Sequence, residues 1–157
     1  LGYYTQYLDA KKELRAQIEK FLASGLVPTH LDHHHYFNEI PNILKAYLEL
    51  AEEYNLPVRS MDENARILAR ERNLKTTDEF SFAFHGNGVD ISTFEVLKTL
   101  FWKKDITMEI LTHVGYIDDY TCSQTNYLIR ENEIDVLKEA KAKGYFDDIE
   151  LISFKDL

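Results

Sequence analysis

The stretch Pro28–Phe37, PTHLDHHHYF, crowds His30, Asp32, His33, His34 and His35 into six positions. Imidazole is the commonest transition-metal ligand and titrates near neutrality, so this density points to metal binding or proton transfer. Pro28 biases the chain before it toward extended geometry, and Val27–Asp32 is predicted to be a short strand. Alternate residues of a strand share a face. His30, Asp32 and His34 are then expected on one side, His33 and His35 on the other, with Asp32 placed to orient a ligating imidazole through its second nitrogen. The competing readings are a solvated loop without chemistry and a cloning tag, and the internal position and the preceding strand count against the tag. A closed structural zinc site is not indicated, because Cys122 is the single cysteine and no CxxC or HExxH pattern occurs.

Working outward, apolar residues recur at helical spacing over Tyr7–Ala23 (Leu8, Leu14, Ile18, Phe21, Leu22), with Gly25 as the stop. Pro41–Tyr54 repeats the pattern, and Pro41 suits a first helical turn. Leu56–Arg59 reads as a strand and Asp62–Arg70 as a helix. Glu79–Phe84 reads as a strand. A helix follows, with Ser92 as its cap, Glu95 completing a capping box and Phe94, Leu97 and Leu100 or Phe101 buried. Ile106–Thr112 alternates as a strand. Asn126–Lys143 is predicted as a helix burying Leu128, Ile129, Ile134, Leu137 and Ala140 and ending at Gly144, and Ile149–Ser153 as a last strand. Strands alternating with helices imply an α/β fold with a mainly parallel sheet or barrel, here a single domain over 1–157. Such folds carry their chemistry at the C-terminal ends of strands. Asp32–His35 and His113 both fall there.

The chain has 157 residues and a formal charge of −9, which argues against a phosphate-binding surface and so against nucleic acid. Aromatic residues make up 13%, which suits stacking on a small neutral partner such as a sugar. No apolar run is long enough for a membrane helix, no secretory signal opens the chain, and a lone cysteine does not ask for an oxidising compartment. A cytoplasmic protein is expected. The turn FHGNG holds His85, Gly86 and Gly88 at the wrong spacing for a phosphate loop, no GxSxG elbow exists, and nothing marks Cys122 as a nucleophile. Taken singly, His85 and His113 read as structural histidines.

In combination the motifs are more specific. PTHLDHHHYF, EEYNLPVR (52–59), FAFHGNGVDISTFEVLK (82–98), MEILTHVGYIDD (108–119) and ELISFKDL (150–157) follow one another in an order and spacing that resemble the YdjC/ChbG family of carbohydrate deacetylases. The resemblance implies a distorted (β/α) barrel of the polysaccharide-deacetylase-like type. It implies a hydrolase that uses a divalent metal ion, magnesium or zinc, to remove acetyl groups from N-acetylated sugars such as chitooligosaccharides. Carried over by position, His34 becomes a metal ligand, His113 the catalytic histidine and Arg59 a site-lining cation. His30, Asp32, His33 and His35 are left as supporting or substrate-binding residues. The chain departs from the family pattern at His33, where Ser is usual, at Tyr36, where a third His is usual, and at Val114, where Pro is usual. In the family's chemistry a metal-bound water attacks the acetamide, a carboxylate takes its proton and the catalytic histidine protonates the leaving amine.

The resemblance covers roughly the C-terminal three-fifths of a family member. The family's Asp-Asp pair and second metal histidine belong to earlier strands, and Asp118–Asp119 and Asp147–Asp148 do not stand in their place. A barrel in this chain is therefore expected to be incomplete, against about 250 residues for a closed one. The isolated chain is expected to be inactive and to expose apolar surface. Two alternatives stay open, a non-catalytic sugar-binding or regulatory protein and another metal-dependent hydrolase such as a phosphoesterase. A homodimer is compatible with the family. The acid and base roles together predict a bell-shaped dependence of kcat/KM across about pH 5–9, and a monotonic profile would contradict that pairing.

Overall fold

Pro28 and Pro57 each remove a backbone donor from a segment expected to pair as a strand, and the pairing shrinks accordingly. In the computed structural model, which describes residues 6–37, 39–102, 104–119 and 129–157, Val27–Asp32 and Leu56–Arg59 are not strands. They meet in a single parallel bridge, Leu31 to Val58. Leu31 N–H donates to Pro57 O at 2.8 Å and Arg59 N–H to Leu31 O at 3.0 Å. The chain divides into two compact units, Leu1–Asp78 with Ile152–Leu157, and Glu79–Leu151.

The first unit is built on α1 (Tyr7–Ala23), α2 (Pro41–Tyr54) and α3 (Glu63–Glu71). The first two helices have the predicted bounds. Arg15 grips Glu53 with both guanidinium nitrogens at 2.5 and 2.6 Å, and Glu49 takes Lys11 Nζ at 2.6 Å and the Tyr7 hydroxyl, which ties α1 to α2. Pro41 occupies the first turn of α2, and Asn55 closes it in the left-handed conformation at φ 52°. Leu44, Tyr47, Leu48 and Ala51 of α2 pack with Val58 and with Ala65 and Ala69 of α3 to form this unit's core. Asp62 caps α3 by accepting from Ala65 N–H at 2.8 Å. The α1 stripe is helical as expected but only partly covered. Leu14 packs on the core, while Leu8 and Phe21 are 73% and 44% exposed.

The second unit pairs β1 (Glu79–Ser81) with β2 (Met108–Ile110) in parallel, Phe80 opposite Glu109. Both strands are shorter than the sequence predicted. The helices α4 (Ile91–Leu100) and α5 (Arg130–Ala142) bury Phe94, Leu97 and Ala140 against Phe84, with Trp102 and Phe146 alongside. Phe94 sits 5.0 Å from the Phe84 ring and 5.4 Å, edge-on, from Phe146. The cap of α4 is Asp90 rather than Ser92. Its carboxylate accepts Ser92 N–H at 2.8 Å and the Ser92 hydroxyl at 2.5 Å, a charged acceptor displacing a neutral one. The helix buries Phe94 and Leu97 but leaves Leu100 53% exposed. Asn126 and Leu128 of the last predicted helix, like Cys122, lie outside the described residues.

Ile149–Ser153 is not a strand. Leu151 and Ile152 are 75% and 44% exposed, and Ser153 instead exchanges hydrogen bonds with Asp156 in a local 3₁₀ turn over Phe154–Asp156. Side chain-to-backbone bonds of this sort compete with ladder pairing. A parallel α/β arrangement is present, and the described strands do not close a barrel. No helix among the described residues is long and apolar enough to cross a membrane.

The core assignment predicts that Phe94→Ala lowers unfolding free energy by about 3–5 kcal/mol, whereas Leu100→Ala on the same helix changes it by about 0.5 kcal/mol or less. Urea denaturation of the two variants checks this.

Candidate functional site

In the first unit the helix α2 holds the histidine segment through one side chain. Tyr47, buried to 6% exposure, donates its single hydroxyl proton to Leu31 O at 2.6 Å, with Arg59 O a weaker second acceptor at 3.2 Å. This pins the Leu31–Val58 bridge and delivers Asp32 and Arg59 side by side. Arg59 Nη1 lies 2.7 Å from Asp32 Oδ1, which also accepts His33 N–H at 2.6 Å.

The alternation expected of a strand is absent beyond Leu31. His35 turns the chain at φ 62°, His33 Nδ1 meets His35 O at 2.6 Å, and the His34 and His35 rings sit 4.0 Å apart. His30 stacks on Phe154 at 4.1 Å, 6° from parallel, and His33 packs on Phe37 and Tyr47. Asp32, His33 and His34 line a cavity of about 500 Å³ with Glu13 and Gln17 of α1. His30 and Asp32 line an adjoining, more apolar one of about 440 Å³ with Phe21, Val27 and Tyr47.

Tyr36, standing where the resemblance leads one to expect histidine, donates to Asp62 Oδ2 at 2.8 Å. Burial, and then the Asp62 carboxylate, push its phenol up to about 12. Tyr36 is thus held as a neutral donor at any physiological pH.

In the second unit His113 follows β2 on an irregular segment that α5 holds by two carboxylates. Ile117 N–H donates to Glu131 Oε1 at 2.9 Å, and His113 N–H donates to Glu133 Oε2. Acidic side chains in the first turn of a helix are favoured by its dipole. Glu133 is 0% exposed, and its Oε1 lies 3.8 Å from His113 Nδ1. The His85 ring comes within 4.7 Å of the His113 ring.

The turn that carries His85 requires its glycines. Gly86 has φ 58°, and a Cβ on Gly88 would stand 1.9 Å from Ala83 O. FHGNG is therefore a tight turn presenting His85. Glu133 was missed by the sequence reading, although a signal existed. It lies four residues after Ile129 and four before Leu137, a charged residue on the apolar stripe of α5.

Among the described residues the donors around His34 do not by themselves close a cation site. Asp32 is engaged by Arg59, and His34 is exposed, its ring 4.0 Å from that of His35 and tilted by 60°. Among the described residues the group that converges is His85, His113 and Glu133, whose donor atoms lie within 4.8 Å of one another. Two imidazoles and a carboxylate form a set that can hold a divalent ion.

Comparison with known proteins shows the family. The model of the YdjC-like protein family matches residues 4–148, and the chain belongs to that family. It is 34% identical over 155 residues to a carbohydrate deacetylase of Clostridium beijerinckii and 34% identical over 153 residues to one of Brevibacillus brevis. In each case 95% of this chain aligns with 61% of the relative. A crystal structure from Enterococcus faecalis V583, of a protein provisionally described as a cellobiose-phosphate cleavage protein, superposes with a TM-score of 0.85. The identity is 25%, covering 97% of this chain and 61% of that one. The chain thus spans about three-fifths of the length of these relatives.

The Tyr36 environment makes a checkable prediction. A phenol raised from about 10 in the unfolded chain to about 12 contributes stability that is complete below pH 10 and lost as pH rises through 12. The difference in 295 nm titration between the chain and Tyr36→Phe should show one phenol ionising near pH 12. In Asp62→Asn, which keeps the helix cap, that transition should move to lower pH. A Tyr36 phenol ionising near pH 10 would contradict the contact.

Proposed function

We propose that the protein is a metal-dependent carbohydrate deacetylase, or the greater part of one, that releases acetate from N-acetylated sugars such as chitooligosaccharides. Family membership carries the reading, since relatives called carbohydrate deacetylase align with nearly the whole chain. The reading is supported by cavities of about 440 and 500 Å³, sizes that suit one or two sugar rings, lined with imidazole, carboxylate and aromatic groups.

His113 is proposed as the proton donor to the departing amine, so that the nitrogen leaves neutral when its bond to the acetyl carbon breaks. His34 is proposed as this chain's ligand to the divalent ion, magnesium or zinc, and this assignment stands separately from that of His113. Arg59 and Asp32 form a fixed ion pair that suits hydrogen bonding to sugar hydroxyls, with His30, His33 and His35 shaping the same segment. The working place proposed is the cytoplasm, consistent with a single cysteine. A homodimer is part of the family-based expectation and is testable by light scattering.

The deciding experiment is acetate release from an N-acetylated chitooligosaccharide, with added magnesium or zinc and with chelator. Metal-dependent release is expected from a chain of the relatives' full length, with His113→Ala lowering kcat by about 10²–10⁴-fold. Phosphate release from a phosphorylated disaccharide with no acetate release from the acetylated sugar would replace the deacetylase by a phosphoesterase. Sugar binding without turnover would replace it by a binding protein.

A further inference from the structure

A carboxylate with no exposure to solvent is costly unless something nearby needs its charge. Glu133 is such a group, and the mechanism above does not use it. One oxygen is committed, since Oε2 accepts the backbone N–H of His113. The other, Oε1, has no hydrogen-bond partner among the described residues and faces His113 Nδ1 at 3.8 Å.

The geometry points to Glu133 as the positioning residue of His113, a buried carboxylate that holds the histidine's own backbone with one oxygen and its ring with the other. The inference rests on the reading of His113 as the proton-transfer residue, and adds how that residue is prepared.

The chemistry follows from the two ring nitrogens. A neutral imidazole carries one proton, and its place is set by the bond the other nitrogen makes. A carboxylate only accepts. With Oε1 toward Nδ1, the proton belongs on Nδ1, and Nε2 is left as the exchangeable position. When Nε2 is protonated, the same carboxylate stabilises the imidazolium. The 3.8 Å separation is longer than a hydrogen bond. The His113 side chain is 37% exposed, and catalytic contacts that are long in a free enzyme often tighten when a substrate is bound.

The backbone bond to Oε2 makes the arrangement specific, because the carboxylate cannot drift from the histidine it serves. His85, with its ring 4.7 Å away, bounds the other side. The alternative use of the cluster is capture of a divalent ion by His85, His113 and Glu133 together. In that use Oε1 would ligate while Oε2 kept its backbone bond, and a cobalt(II) titration separates the two roles.

The test reads the tautomer directly by ¹⁵N NMR of the histidine-labelled chain in the presence of chelator. His113 in the unchanged chain should be the Nδ1–H form. Glu133→Gln should reverse it, because a glutamine oxygen can keep the backbone bond while its amide donates to Nδ1 and drives the proton to Nε2. Glu133→Asp, which keeps a carboxylate, should retain the Nδ1–H form. It is the fallback if the glutamine variant does not fold.

In acetate release Glu133→Gln should lower kcat by about 10²–10⁴-fold with KM little changed, the signature of a wrong tautomer in a bound complex. An Nε2–H tautomer in the unchanged chain, or no change on Glu133→Gln, would overturn the inference. So would titration with cobalt(II) producing a visible absorption band that is lost in both His85→Ala and Glu133→Gln, since Glu133 would then be a ligand. If a chain of the relatives' full length releases no acetate while the tautomer reverses as described, the deacetylase reading fails and the positioning role stands.

Discussion

A buried backbone N–H or C=O that leaves a sheet early must find a partner elsewhere, and among the described residues the pairing is short in both units. The pairing in the first unit is one bridge, and in the second it is three residues against three. Several groups at and beyond these short pairings are met by side chains reaching from helices. Tyr47 of α2 serves the carbonyls of Leu31 and Arg59, and Glu131 and Glu133 of α5 serve the amides of Ile117 and His113.

The segments that need this help are the ones proposed to carry the chemistry. Residues after a short strand are irregular, and an irregular backbone can present a side chain at an angle that a ladder cannot. The cost is that each such segment depends on one or two helix side chains, both for its place and for its hydrogen-bond balance. In the second unit the helix side chain is a carboxylate, so holding the backbone also sets the electrostatics of the imidazole beside it. In the first unit it is a neutral hydroxyl, and the charge is supplied by Arg59 and Asp32, which the bridge brings together.

The family resemblance and the geometry meet at particular residues. His113 is singled out by the motif and is the histidine that a buried acid attends. His34 is singled out by the motif too, yet among the described residues it lies beside a second histidine rather than within a set of converging donors. Tyr36 and Val114 are departures from the family pattern, and the first of them has its own partner in Asp62, which also caps α3.

The helices were legible in the sequence because their signal is local. A 3.6-residue period with Pro41 at one end and an asparagine at the other needs no knowledge of the rest of the chain, and Tyr7–Ala23 and Pro41–Tyr54 came out with their bounds intact. The strands were legible only in place, since their length depends on partners far away in sequence. Pro28, Pro57 and the Ser153–Asp156 exchange shortened or removed the segments that looked most regular. The position of His113 after a strand could be read from the motif. That a glutamate twenty residues later is buried against it could not, because burial is settled by which helix face meets which segment. The sequence by itself determined the helices, the order of the motifs and the family. Tertiary structure alone decided which donors converge, because a carboxylate acquires its role from the groups that exclude water around it.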